Sequence, residues 1–265
     1  MRLHLGVIGS GFVGGAVING FAGPNVDTWV VDPKKSNITI QQLIDKDPHL
    51  IFVCVPTPEG SGGAVDVSIV DKVLDELDKF CYGGIVVIKS TITPDHLSRF
   101  VKTYGLRIVY NPEFLIEANA HNDFINPQMQ ILGGTWEDCD LVERAYVEFS
   151  KVKTVPTYKT DIVSASLLKY TINSWLATKV VFMNEIHRVH QQSGAATTWS
   201  QFTDMLRCDK RIGDSHLSVP GPDGNFGFGG HCFPKDTAAF LNYAKENNAD
   251  MSVLQSAVEK NKSIR

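Results

Sequence analysis

Short apolar runs, some opened or interrupted by a polar residue, alternate with amphipathic stretches through the first 155 residues of the chain. The runs Leu3–Ile8, Thr28–Val31, Leu50–Val53, Ile85–Ile88, Arg107–Val109, Gln130–Leu132 and Lys153–Val155 have the length and residue types of strands. Between them, stretches such as Val67–Phe80 and Pro94–Tyr104 repeat their apolar residues at helical spacing. Strands that alternate with helices predict an α/β fold with a parallel, doubly wound sheet. From Asp161 to Gln191 the pattern changes, with no proline or glycine to interrupt it. Ile162, Ala165, Leu168 and Ile172, then Leu176, Val180 and Met183, recur at helical spacing and predict one long helix capped by Thr160 or Asp161. Shorter helices are expected at Trp199–Leu206, Pro234–Asn247 and Ser252–Ser263. The expected organisation is a sheet domain over 1–157 and a smaller all-α region over 158–265, built on the long helix. A long helix with little sheet beside it commonly buries an apolar face on a second subunit, so a homodimer through the 161–191 helix is expected.

Composition adds exclusions. With 43% hydrophobic and 20% charged residues and a net charge of −4, nothing draws the chain broadly to nucleic acid or an anionic membrane. Apolar runs such as Ile85–Ile88 fall far short of the roughly 20 residues that span a bilayer. Met1-Arg2-Leu3 runs directly into the first strand, so no signal peptide is expected. Five cysteines, an odd number with no CxxC pairing, fit a reducing cytoplasm. His187 and His190 lie three apart with no third ligand suggested, so no metal site is expected.

Chemistry enters at Gly9-Ser10-Gly11-Phe12-Val13-Gly14, a GxGxxG run that follows a strand and opens a helix. Asp32 ends the next strand, 18 residues past Gly14. In that context the run is a Rossmann dinucleotide fingerprint. Gly9 permits the turn, Gly11 lets a pyrophosphate approach the backbone at the helix N-terminus, and Gly14 allows close helix–strand packing. Asp32 would accept the ribose hydroxyls and repel a 2′-phosphate, which favours NAD over NADP, although Lys34 and Lys35 stand nearby. The alternative is a glycine turn in a flavodoxin-like sheet.

A second constellation lies in the last third. Gly227-Phe-Gly-Gly-His-Cys-Phe-Pro-Lys-Asp236 sets Cys232 on a glycine-rich loop just before a proline, where a helix begins. A thiol at a helix N-terminus feels the positive end of the dipole. Lys169 and Asn173, four apart, share a face of the long helix about 40° apart and can hold an oxyanion or a substrate hydroxyl, or form a solvated helix face. Asp236 either serves chemistry or complements the dipole in the first helical turn. A nucleophilic sulfur beside a hydride acceptor is equipment for oxidising an aldehyde through a covalent thioester.

The same pieces resemble the UDP-glucose 6-dehydrogenase group of nucleotide-sugar dehydrogenases. In order, they are Gly9–Gly14; Val53-Cys54-Val55-Pro56-Thr57-Pro58; Lys89-Ser90-Thr91-Ile92-Thr93-Pro94; and Asn111-Pro112-Glu113-Phe114-Leu115-Ile116-Glu117. Lys169-Tyr170 through Asn184-Glu185, Asp209-Lys210-Arg211-Ile212-Gly213 and Gly227–Asp236 complete the series. The resemblance implies that Cys232 attacks the C6 aldehyde of a nucleotide sugar, that Lys169 and Asn173 stabilise oxyanions, and that Asp236 positions or deprotonates water. It implies that Thr91 and Glu113 bind the catalytic water, and that Phe114, Leu115, Phe228 and Gly229 line the substrate. Arg211 would reach the nucleotide sugar from a neighbouring subunit. Gly9, Gly11, Phe12, Val13, Gly14, Asp32, Pro56, Thr57, Thr91 and Glu117 would hold NAD, with Glu117 near both nicotinamide and substrate. A role in polysaccharide biosynthesis, with a UDP-sugar as substrate, follows from the same resemblance.

The chain departs from the family in places. Ser166 stands where the family favours glutamate, Asp223–Phe226 looks inserted, and His231 stands where serine is common. The chain stops at Arg265, inside what should be the second central helix, so a partner chain supplying the nucleotide-binding domain is one expectation. Two further readings stay open at this point. One is a single-hydride 3-hydroxyacid-type dehydrogenase, which also uses a Lys-xxx-Asn pair but needs no cysteine. The other is a non-catalytic NAD-binding fragment that pairs with a full-length enzyme.

Overall fold

The computed structural model describes residues 2–265. Seven strands, β1 (Leu3–Ile8), β2 (Val26–Val31), β3 (Leu50–Val53), β4 (Ile85–Ile88), β5 (Arg107–Tyr110), β6 (Gln130–Gly133) and β7 (Thr157–Thr160), form one sheet in the order β2-β1-β3-β4-β5-β6-β7. Neighbours pair in parallel except β5 and β6, which run antiparallel through Tyr110 and Gly133. β3 and β4 are buried along their whole length, as unbroken apolar runs covered on both faces must be. α1 (Phe12–Phe21) packs on β3, and α3 (Ser68–Lys79) and α4 (Pro94–Thr103) each bury an apolar face. The remaining helices before the long one are α2 (Ile40–Ile44), α5 (Ala120–Ile125) and α6 (Trp136–Phe149).

The last strand corrects the reading of the sequence. Lys153–Val155 is not β7; the strand starts after Pro156. Lys151 and Lys153 donate instead to the carbonyls of Gly20 and Ile125, and Pro156, which has no N–H to give a ladder, only accepts from Gln130. A core of Leu5, Val7, Phe21, Phe52, Val87, Val109 and Tyr146 fills one side of the sheet. Gly20 is needed there, because a Cβ would stand 2.1 Å from the Phe124 ring.

The long helix, α7, runs Ile162–Gln192. It is followed by α8 (Trp199–Arg207), α9 (Cys232–Glu246) and α10 (Ser252–Ile264). The chain divides into two compact units, residues 1–58 with 65–169, and residues 59–64 with 170–265, so α7 belongs to both. Its first turns are fixed within the first unit: Ser166 donates to the carbonyl of Ile92 at 2.7 Å, and Gly133 leaves room for Ala165. Within the second unit, Ala177 and Val181 of α7 meet Phe228 and Ala257, while Met183 meets Leu217 and Val219. The buried face of α7 is rich in polar groups (Ser166, Lys169, Asn173, Ser174, Asn184, His187). Leu168, read from its spacing as part of the apolar stripe, is exposed.

Candidate active site

In the first unit, β1 ends in the glycine turn. Gly9 holds φ +86°, a left-handed conformation that side chains resist, and a Cβ on Gly14 would stand 2.0 Å from the Gly9 carbonyl oxygen. A Cβ on Gly11 meets nothing within 4 Å, so the space over the start of α1 is open. Gly11 caps α1 without a side chain, and no acidic residue occupies the first turn, leaving the N–H groups there suited to phosphate. These features fit a dinucleotide. Asp32, just past β2, accepts from the Ser10 N–H at 2.7 Å, the Ser10 hydroxyl at 2.9 Å and the Lys34 N–H at 2.8 Å. The Ser10 backbone bond is the largest of several influences holding its carboxyl below the usual range. A carboxylate has about four acceptor positions, so capacity for a hydroxyl donor remains.

The exits of β3, β4 and β5 lie along the carboxyl edge of the parallel strands, where open α/β sheets bind ligands. Pro56 is exposed there and Thr57 buried. Ser90 donates to the carbonyl of Val55 at 2.6 Å and ties the β4 exit to the β3 exit. Thr91 follows, half-buried. Past β5, the buried Glu113 accepts from the Leu115 N–H at 2.7 Å and faces the Lys169 ammonium at 3.3 Å. Lys169 also bonds the Glu113 carbonyl and lies 5.0 Å from the centre of the Phe114 ring. Glu117 opens a short 3-10 turn, Glu117–Asn119, and is exposed.

In the second unit, α9 begins at Cys232 itself, two residues before the proline that suggested its start. Cys232 is half-buried at that N-terminus. Asp236 is therefore past the first turn, 1% exposed, and accepts from the Asn173 amide at 2.6 Å and from Lys235 at 2.5 Å. Burial and those partners replace the dipole-complementing role that its place after Pro234 suggested. Cys232 and Asp236 are one turn apart on α9, and Lys169 and Asn173 are one turn apart on α7.

The loop ahead of Cys232 is held by groups that sequence reasoning passed over. Phe228 and Asn261 exchange two hydrogen bonds, N–H to Oδ1 at 2.7 Å and Nδ2–H to the carbonyl at 3.0 Å, while Asn184 accepts from the Gly227 N–H at 3.2 Å. Gly229 lies against the Arg265 guanidinium, where a Cβ would stand 2.0 Å away. An asparagine well inside a predicted helix was the available signal, because its side chain competes with the backbone unless it has a partner elsewhere. Arg211 is exposed and forks onto Asp209 at 2.6 and 3.0 Å. The loop beyond it is fixed by Lys179, which donates to the carbonyls of Ile212 at 2.9 Å and Ser215 at 2.6 Å. Among the described residues no group of three His, Cys, Asp or Glu side chains is placed to hold a metal ion, no disulfide forms, and no helix is long and apolar enough to cross a membrane.

Comparison with known proteins agrees with both units. Residues 40–150 match the NAD binding domain of the UDP-glucose/GDP-mannose dehydrogenase family, and residues 163–263 match that family's central domain. The chain is 34% identical to UDP-glucose 6-dehydrogenase of Rickettsia bellii over 82% of its own length and 50% of the relative's. It is 30% identical to the Rickettsia conorii enzyme of the same name over 98% of its length and 67% of the relative's. The solved structure of a UDP-glucose dehydrogenase from Pyrobaculum islandicum superposes with a TM-score of 0.82 at 25% identity, over 99% of this chain and 68% of that one. The chain thus spans between half and two thirds of the length of these relatives. With both domain models matched in series and sequence likeness running almost end to end, the chain belongs to the UDP-glucose/GDP-mannose dehydrogenase family.

Proposed function

We propose that this chain catalyses the NAD-dependent, four-electron oxidation of a nucleotide sugar, a UDP-sugar first of all, at its C6 alcohol, giving a uronic acid through a thioester on Cys232. The observation that carries the reading is the start of α9. A thiol sits at a helix N-terminus on a loop pinned by two asparagines, one turn from a buried carboxylate bonded to Asn173.

Gly9, Gly11, Phe12, Val13, Gly14, Asp32, Pro56, Thr57, Thr91 and Glu117 would hold NAD, which when bound would supply the hydride acceptor, twice per acid formed. Cys232 Sγ adds to the C6 aldehyde carbon; loss of hydride from the thiohemiacetal gives the thioester. Water then displaces the sulfur, the thiol is restored and the carboxylate leaves. Covalent attachment keeps the aldehyde from escaping. Lys169 and Asn173 stabilise the oxyanions, and losing one such donor typically lowers the rate about 10²–10³-fold. Asp236 positions or deprotonates the water, and Thr91 and Glu113 bind it and steer protons. Phe114, Leu115, Phe228 and Gly229 line the substrate, and Arg211 reaches it from a second copy.

That second copy would be bound through α7. Leu168, Trp175, Phe182 and Val189 are all exposed, at 41, 62, 57 and 61%, and recur every seven residues. An uncovered heptad stripe of large apolar side chains is the pattern of a helix that pairs.

The test is absorbance of NADH with a panel of UDP- and GDP-sugars, with product acid counted in parallel. Two NADH per acid, and loss of acid formation in Cys232→Ser, are expected. One NADH per product, or full turnover without the sulfur, would point to single-hydride chemistry. Binding of NAD with no turnover on any sugar nucleotide would leave a non-catalytic role.

A further inference from the structure

Lys89 is buried, 4% exposed, directly past β4 and inside the first unit. Lysine is almost never so buried, and replacing buried charge by apolar side chains is often neutral or stabilising, so retention of an ammonium here calls for a reason beyond packing. Its Nζ donates to Asn111 Oδ1 at 3.0 Å and lies 5.6 Å from the centre of the Phe124 ring. Asn111 is held from two more sides. Tyr146 donates to the same Oδ1 at 2.7 Å, and the amide donates to the Ile131 carbonyl at 2.8 Å. The position of this bond is informative. Lys89 stands two residues before Thr91, and Asn111 two residues before Glu113. One charged hydrogen bond therefore joins the exits of β4 and β5 at the same distance from both residues assigned to the catalytic water.

We propose that Lys89 is a positioning residue for this oxidation, its ammonium clamping Asn111 so that the loops carrying Thr91 and Glu113 are held in register. The inference rests on the reaction proposed above. Charge contributes as well as geometry. Burial lowers the Lys89 pKa to about 8, against the opposing influence of Cys54 and Glu113, with Lys169 adding to the lowering. Among the described residues, those groups and the Tyr146 hydroxyl across Asn111 are the titratable side chains that face it. Above that pH the clamp loses its charge and Glu113 a cationic neighbour.

Lys89→Met and Lys89→Arg test this on the full chain. The methionine variant is expected to lower kcat by about ten- to a hundredfold, as loss of alignment does. KM for the sugar nucleotide should stay within about threefold by the same argument, and the fall of kcat through pH 8 should disappear. Arginine restores part of kcat. Hydrogen exchange, which needs no turnover, should quicken at Ser90–Ile92 and Asn111–Leu115 in the methionine variant. Should K89M fail to fold, Lys89→Gln keeps a polar head without charge and should likewise lose the alkaline fall. Wild-type kcat with an unchanged pH profile, or unchanged exchange in both segments, overturns the clamp. A wild-type chain that makes no NADH from any sugar nucleotide overturns the oxidation reading instead, and the exchange measurement still decides the clamp.

Discussion

Four of the five cysteines show how environment, not residue type, sets chemistry. Cys54 is pushed up to about 12, first by burial and then by Glu113, although Lys89 pulls the other way. Burial likewise lifts Cys139 to about 11, with Asp138 adding to it. Cys81 and Cys208 are exposed. At pH 8 a thiol of pKa 12 is ionised in only about one molecule in ten thousand, and only the thiolate alkylates. Iodoacetamide at pH 8, read by peptide mass spectrometry, should therefore mark Cys81 and Cys208 and spare Cys54 and Cys139. Rapid labelling of Cys54 at pH 8 would contradict its place beneath the glycine turn. At this scale, residues that announce themselves by backbone demand were legible: Gly9 and Gly14 are glycines because their surroundings leave no room for a Cβ. Lys89, Lys179 and Asn261 were not, because a polar residue's sequence neighbours do not reveal a partner more than twenty residues away.

Among the elements, the glycine loop before α9 is the most exposed to single substitutions. Gly227 holds φ +70°, and a Cβ there would stand 2.3 Å from Asn261 Oδ1, the atom that accepts from Phe228. Gly227→Ala combines left-handed strain of about 1–2 kcal/mol with displacement of that amide. A drop of several degrees in thermal midpoint is expected, together with a loss of turnover larger than the loss of folded protein. An unchanged midpoint would mean that the loop relaxes without cost. The elements themselves were legible in proportion to their periodicity. β1, β3 and β4 fall where their apolar runs lie. β7 lies beyond the expected Lys153–Val155 because the Lys153 N–H goes to the Ile125 carbonyl, outside the ladder, and the strand starts only after Pro156. The antiparallel turn into β6 had no local signature, since one pair of residues, Tyr110 with Gly133, defines it. The start of α9 was set too late, because Pro234 suits any position in a helix's first turn and so marks that turn without marking its first residue.

At the scale of the whole molecule, the stripe on α7 makes the strongest demand. Four large apolar side chains in water, on a helix whose inner face already carries buried polar groups, are costly unless covered. Light scattering is expected to give a dimer. Trp175→Lys with Phe182→Lys should give the monomer mass with the helical circular dichroism retained, and a wild-type monomer would remove the argument. Position in the helix was legible from sequence, but which stripe faces inward was not. Both faces carry apolar residues, and the inner one is occupied by Lys169, Asn173 and Asn184 as well. The seven-residue repeat also has a geometric consequence. An α-helix turns 3.6 residues at a time, so a strict repeat of seven drifts by about 20° per period around a straight axis. For Leu168 and Val189 to meet the same neighbour, the two rods must coil around each other with a left-handed twist, crossing at a shallow angle of about 20°.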